Sequence, residues 1–298
     1  MTASKTIDIL CIGSVLWDII GRAPQVMNVG TDVGGRITRI PGGVAMNIAM
    51  TAQRFGLRPA LLTAIGDDAE GADLLRACTD MGMITDHVHR SEGMPTDRYM
   101  AIEGSNGLVA AIADAHTLEA ADSDILRPLS DGRLGSEAAP YDGVIALDGN
   151  LTTSLLSEIA NSPLFARADM RLAPASPGKA QRLLPLLKHA GATLYVNLEE
   201  AGLLCDTPFD TAFDAAAALV ARGAHRVLVT NGARAASLAS AANHITATPP
   251  QVAQRRVTGA GDTFMAAHIA AEINNIPAQE ALEQALATAA KYVSGEDE

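Results

Sequence analysis

Aromatic residues make up only 3% of this 298-residue chain, with one tryptophan, and cysteine is scarcer still at three residues. Cys11, Cys78 and Cys205 are odd in number, far apart and without a CxxC spacing, which excludes a disulfide framework and a cysteine zinc site. Cys11 lies in the apolar run "IDILCIG" and reads as a small buried thiol. Positive charge is also in deficit: 22 Lys and Arg against 34 Asp and Glu give a net charge of −12, so no basic stripe can neutralise a nucleic-acid backbone. No apolar run reaches the roughly 18 residues of a membrane span. "MTASKTIDIL" lacks the charged start and apolar stretch of a signal peptide, so the expected location is cytoplasmic, without nucleic-acid or membrane partners. What remains, 48% hydrophobic and 19% charged residues with abundant alanine, is the composition of a globular protein whose smooth helices pack closely on a sheet.

Short apolar runs that read as buried parallel strands recur at 7–13, 58–66, 142–150, 168–174, 192–197 and 225–232. Stretches of helical period lie at 43–55, 68–82, 152–161, 177–190, 210–223, 260–273 and 278–293. This alternation predicts an α/β fold with a doubly wound, mostly parallel sheet covered on both faces. Residues 14–41 and 95–113 break it, the second reading as a hairpin that turns at Ser105-Asn106-Gly107. They are either two separate surface loops or a small β-sheet lid over the crevice where open α/β sheets bind ligands. Residues 131–140 read as an exposed loop, and no repeat or linker divides the chain, so one domain over 1–298 carrying lid insertions is expected.

The stretch "RRVTGAGDTFMAAHIAAE" (255–272) opens a long helix on Gly259, Ala260, Gly261 and Asp262. Such a start serves ordinary capping, or it leaves backbone N–H groups open to an anion such as a nucleotide's terminal phosphate. A second glycine motif, "PGGVAMNIAMTAQRFG" (41–56), starts another helix on Gly42 and Gly43 with Asn47 one turn inside, an amide able to donate to and accept from sugar hydroxyls.

In this order the two motifs resemble the two characteristic motifs of the PfkB, or ribokinase-like, sugar kinases, and the resemblance extends over nearly the whole chain. It implies a ribokinase-like three-layer αβα domain with a small β-sheet lid, using ATP and Mg²⁺. It implies Gly42, Gly43 and Asn47 at the substrate and an anion hole from Gly259, Ala260 and Gly261. Asp262 would be the base that accepts the proton of a primary hydroxyl. "IGSVLWD" (12–18) resembles the family's first strand, which ends in a substrate-binding aspartate, here Asp18. "VNLEEAG" (196–202) is similar to an N-x-x-E element, with Asn197 at the nucleotide and Glu200 acting on magnesium through water. "VTNGARAASL" (229–238) resembles the strand and turn that touch the nucleotide, giving Thr230 and Gly232. Each position also has a plain structural reading: Asp18 capping a turn, Asn197 and Glu200 solvated, Thr230 finishing a strand.

Two positions depart from the family pattern. Arg256 stands six residues before Asp262, where an acidic or small polar residue is usual, which argues against a family-type monovalent-cation site. Leu16 stands where many members have Asn. The stretch "TDRYMAIEGSNGLVAAIADAHTLEAAD" (96–122) resembles the corresponding part of pseudouridine kinases. It implies phosphorylation of the 5′-hydroxyl of pseudouridine, with Thr96, Asp97 and Tyr99 as candidate recognition residues and ribose, another nucleoside or an acidic sugar as alternatives. Lid sheets in this family often pair, which leaves a homodimer through the lid open. A dehydrogenase is excluded because "GSVLWD" replaces G-x-G-x-x-G after the first strand, whereas a non-catalytic sugar-binding or nucleotide-binding protein stays an alternative.

Overall fold

The computed structural model describes residues 6–296. The chain opens with β1 (Ile9–Ile12), β2 (Leu16–Arg22), β3 (Arg36–Gly42), α1 (Val44–Arg54), β4 (Pro59–Leu62), β5 (Ala64–Gly66) and α2 (Ala69–Asp80). It continues through β6 (His89–Ser91), β7 (Arg98–Gly104), β8 (Gly107–Asp114), α3 (His116–Ala121), β9 (Val144–Asp148), α4 (Thr153–Asn161) and β10 (Asp169–Ala173). The last third holds β11 (Ala192–Asn197), α5 (Leu198–Cys205), α6 (Ala212–Ala221), β12 (Arg226–Asn231), β13 (Arg234–Ser240), β14 (His244–Ala247), α7 (Ala260–Ile273) and α8 (Ala278–Ser294).

An eight-stranded sheet runs in the order β14-β13-β12-β11-β10-β9-β1-β4. Strands β4 to β12 are parallel, as the apolar runs predict, and β13 and β14 add an antiparallel edge that was not expected. Because side chains alternate across a strand, the central strands feed two cores. Leu10, Ile12, Leu147 and Leu172 pack with α4 and α6 on one face, whereas Ile9, Cys11, Ala146 and Tyr195 pack with α1, α7 and α8 on the other. Helix α7 is buried continuously from Thr263 to Ala271, since α1 and α8 flank it against the sheet and its many alanines permit that closeness. All three cysteines are buried, and burial pushes the Cys11 thiol well above its usual range.

Two expected elements differ. The run 58–66 splits after Leu62: β4 stays in the main sheet while β5 pairs with β6 in a separate two-stranded sheet. The segment expected as a helix over 177–190 is a 3-10 helix, Pro177–Leu186, because Pro185 lacks the N–H that an α-helix needs in its interior. Residues 116–129, for which no element was expected, form α3 and a 3-10 turn. Residues 131–140 have neither helix nor strand and are largely exposed.

The two segments that break the alternation pair with each other in a separate four-stranded sheet, β3-β2-β7-β8. The β7–β8 hairpin turns where expected, with Gly107 at φ +97. Register sets Asp18 between Ile40 and Tyr99, and Tyr99 beside Ala113, all on one face. The opposite face carries Trp17, Ile19, Arg39 and Met100. Trp17 Nε1 donates to Glu70 O at 3.1 Å, which roots that side of the small sheet on α2.

Candidate active site

Gly259 starts α7 in a left-handed conformation, φ +87, which side-chain-bearing residues rarely adopt. The Ala260 N–H donates to Val257 O at 3.0 Å, so the expectation that it joins an anion hole is corrected. Among the described residues no acceptor takes the N–H groups of Gly261 and Asp262, the normal state of a helix's first turn. These two amides lie at the positive end of a 14-residue helix.

Asp262, in that first turn, accepts a hydrogen bond from Asn47 Nδ2 at 2.8 Å. Asn47 is thus brought to the carboxylate rather than left for substrate alone. Burial pushes the Asp262 carboxyl up to about 7, the Asn47 hydrogen bond opposes that shift, and the charges of Asp148, Glu200 and Asp18 reinforce it. Carboxylates from four distant parts of the chain therefore converge. A base poised near neutrality is suited to taking a hydroxyl proton.

Asp18, the third residue of β2, sits within the row between Ile40 and Tyr99 and is also pushed up by burial, to about 6. Its carboxylate lies against the Cα of Gly42, where any side chain would collide with it. Gly43 follows at φ +93, close against Ser14, and α1 then carries Asn47 into the site. Gly42 and Gly43 are thus needed for close approach of Asp18 and Ser14.

Asp148, at the end of β9, was not anticipated. Its carboxylate is wholly buried and accepts from Ser14 N at 2.7 Å, Ala45 N at 3.2 Å and Asn150 N at 2.6 Å. It therefore caps α1 and fastens the loop after β1, although burial still raises its pKa. Gly13, at φ +144, makes room for it. The visible signal was a strand, "DGVIALDGN", ending in a carboxylate.

The N-x-x-E element is a capping box at the start of α5. Glu200 N donates to Asn197 Oδ1 and Asn197 N donates to Glu200 Oε2, each at 2.8 Å. Burial raises the Glu200 carboxyl to about 7, with the neighbouring Glu199 adding to the shift. Among the described residues no group of three or more His, Cys, Asp or Glu is arranged to hold a metal. With Oε2 committed to the cap, Glu200 fits a water-mediated contact to a phosphate-bound Mg²⁺ better than direct ligation. Asn197, Thr230 and Gly232 line one cleft of about 680 Å³. That cleft opens beside α5, and its lining does not include Asp262, so it provides room next to the base rather than around it.

Thr96 and Asp97 are not brought into the site. Thr96 donates to Asp68 from Oγ1 at 2.5 Å and from N at 2.9 Å, and Asp97 accepts from Thr117 N at 2.9 Å and Leu118 N at 3.0 Å. Both are almost fully buried, so they tie the small sheet to α2 and α3. Tyr99 does lie in the site's row, where burial and then the Asp18 charge raise its pKa.

Residues 6–297 match the pfkB family carbohydrate kinases. Fructoselysine 6-kinase of Escherichia coli is 26% identical over 262 residues, covering 85% of this chain and 89% of that protein. Pseudouridine kinase of the same organism is 26% identical over 283 residues, covering 92% and 86%. The structure of Arabidopsis thaliana ribokinase complexed with ribose and ATP superimposes with a TM-score of 0.71 at 21% identity, covering 96% of this chain and 92% of that one. No helix among the described residues is long and apolar enough to cross a membrane. With a ribokinase-like fold and a match from end to end of the described residues, the chain belongs to the pfkB family of carbohydrate kinases, phosphotransferases that act on hydroxyl groups.

Proposed function

We propose that this chain is an ATP-dependent kinase acting on the primary 5′-hydroxyl of a ribosyl compound, with pseudouridine the favoured substrate. The observation that carries the reading is Asp262: a carboxyl raised to about 7, held by Asn47 and set beside the open amides of Gly261 and its own N–H. In this reading Asp262 takes the hydroxyl proton as the oxygen attacks in line, and those amides stabilise charge on the transferred group. Asp18 holds ring hydroxyls, and Asn197, Thr230 and Gly232 lie along the nucleotide. Glu200 would hold a phosphate-bound Mg²⁺ through its water shell, and the ion would supply charge neutralisation at the phosphates.

The small sheet favours a nucleoside over a substrate with a charged aminoacyl tail. Around Asp18 and Tyr99, its face toward the crevice carries Ile40 and Ala113, then Ile20, Thr38, Ala101 and Ala111. Such a wall accepts a flat base, and of its two carboxylates, Asp18 and Glu103, the second is already paired with Arg22 at 2.7 Å, which leaves Asp18 as the unpaired one. Steady-state kinetics with pseudouridine, uridine, ribose and fructoselysine test this. We expect kcat/KM to be highest for pseudouridine, whereas a preference for fructoselysine or free ribose leaves the kinase and removes the nucleoside.

Two further parts belong to the same reading. Arg256 Nε donates to Tyr292 O at 2.6 Å, so a side-chain cation already serves the loop before Asp262 and activity should not require potassium. Equal rates in potassium and tetramethylammonium chloride are expected, and strong potassium activation would refute this. On the outer face of the small sheet, Ile37 and Ile112 are 77% and 70% exposed, an apolar surface that a second copy would cover in a cytoplasmic homodimer. Light scattering on the purified protein distinguishes dimer from monomer.

A further inference from the structure

We infer that Arg256 and Tyr292 form a latch that aims the anion hole, making the last turn of α8 a positioning element for phosphoryl transfer; this rests on the kinase reading above. The segment 248–259, between β14 and α7, has no regular structure and is exposed along most of its length. It delivers Gly259 to the head of α7, so something must hold it. Four hydrogen bonds and one cation–π contact do, and all reach the same two residues of α8. Arg255 N and Arg256 N donate to Val293 O at 3.0 and 3.2 Å. Arg256 Nε donates to Tyr292 O, and its guanidinium lies 3.9 Å above the centre of the Tyr292 ring. Tyr292 Oη in turn donates to Thr258 O at 2.8 Å.

The last tether is the informative one. Thr258 O and the Gly259 N–H belong to one planar trans peptide and point in opposite directions. Holding the oxygen toward α8 therefore directs the Gly259 N–H away from α8. The same phenol oxygen would sit 2.6 Å from a Cβ on Gly259, so residue 259 must be glycine for this contact as well as for its positive φ. Arg256 completes the device. Tyr292 O already accepts from Gly295 N at 3.1 Å, and the guanidinium adds a second, charged donor at the negative end of the helix while it stacks on the tyrosine and fixes the ring. Tyr292 lies within range of the Asp262 charge, and both residues act through the orientation of the amides of Gly259, Gly261 and Asp262.

Tyr292→Phe deletes only the hydroxyl. We expect kcat to fall at least tenfold while KM for ATP and for the sugar substrate stay within about twofold, the pattern of an interaction used only in the transition state. Arg256→Ala should behave alike and regain activity with millimolar guanidinium chloride, and Arg256→Lys should recover only part, because an ammonium cannot both stack and make the Nε bond. Hydrogen exchange is measured in parallel on unmodified protein and Tyr292→Phe. The hydrogen-bonded amides of Arg255, Arg256 and Ala260 should exchange at least tenfold faster in the variant while those of the central strands are unchanged. Unchanged kcat in Tyr292→Phe, or unchanged exchange at these three amides, overturns the latch. Should the unmodified protein transfer phosphate to none of the four substrates, the kinase reading falls, and the latch is then decided by exchange alone.

Discussion

Asn47→Ala should move the acid limb of the pH–rate profile upward. Asp262 must be ionised to accept a proton, and its carboxyl is already raised to about 7 by burial and by three neighbouring carboxylates, with the 2.8 Å bond from Asn47 Nδ2 working against them. A hydrogen bond to a charged group contributes ~1.5–3 kcal/mol, or about 1–2 pH units at 1.36 kcal/mol per unit. Water reaches the half-buried carboxylate and replaces part of the lost bond, so about one unit is the expected shift. At pH 7 the ionised fraction would then drop from about one half to about one tenth, a loss of roughly fivefold. The assay is kcat/KM between about pH 5.5 and 9.5. The variant should lose most below pH 8 and approach its plateau near pH 9. A limb that stays in place beneath a uniform fall in kcat/KM would show that Asn47 serves the substrate and not the base.

Asp262→Asn should fold, bind ATP and lose about 10²- to 10⁴-fold in kcat at every pH, and turnover within about threefold of the unmodified protein would remove Asp262 as base. The same variant has an opposite effect on stability. A carboxyl whose pKa is raised on folding, here from 3.8 to about 7, contributes stability that is complete below 3.8 and is lost as pH rises through about 7. Relative to the unmodified protein, Asp262→Asn should therefore gain on the order of 1–2 kcal/mol at pH 8, discounted for solvent access, and none of that gain by pH 3, as read by thermal denaturation. Asp18→Ala should raise the sugar substrate's KM by roughly 5- to 100-fold, the cost of ~1–3 kcal/mol for unpaired polar groups, and leave the ATP KM little changed; the reverse would mean the two subsites are exchanged. Gly261→Val places a branched side chain over the open amides and should weaken both ATP binding and turnover, and an unchanged ATP affinity would count against the loop as a phosphate cradle.

The strands were legible because a parallel strand buried on both faces is a near-continuous apolar run, as "ILCI" (9–12) and "VIAL" (144–147) are. The antiparallel edge was not, since β13 and β14 read "RAASLAS" and "HITA", small and mixed residues with no such run. In the site, the glycines could be placed from sequence because their demand is local: Gly43 at φ +93 and Gly259 at φ +87 start helices. Asp148 could not, because its role depends on amides 134 and 103 residues away. Tyr292 escaped notice for the same reason, its partner Thr258 lying 34 residues upstream. Thr96 and Asp97 show the converse error. A short polar side chain near a strand can face a ligand or fasten a neighbouring helix, and only the packing of α2 and α3 shows that these two do the latter.

Phosphorus NMR of a mixture of this protein, Mg²⁺-ATP and pseudouridine tests the central claim most directly. The account predicts ADP together with a phosphomonoester whose phosphorus couples to the two 5′ protons of the ribose, and neither product when Asp262→Asn replaces the unmodified chain. An Asp262→Asn protein that makes the same 5′-phosphate at a comparable rate, or an unmodified protein that leaves every nucleoside and sugar hydroxyl unphosphorylated, would contradict it.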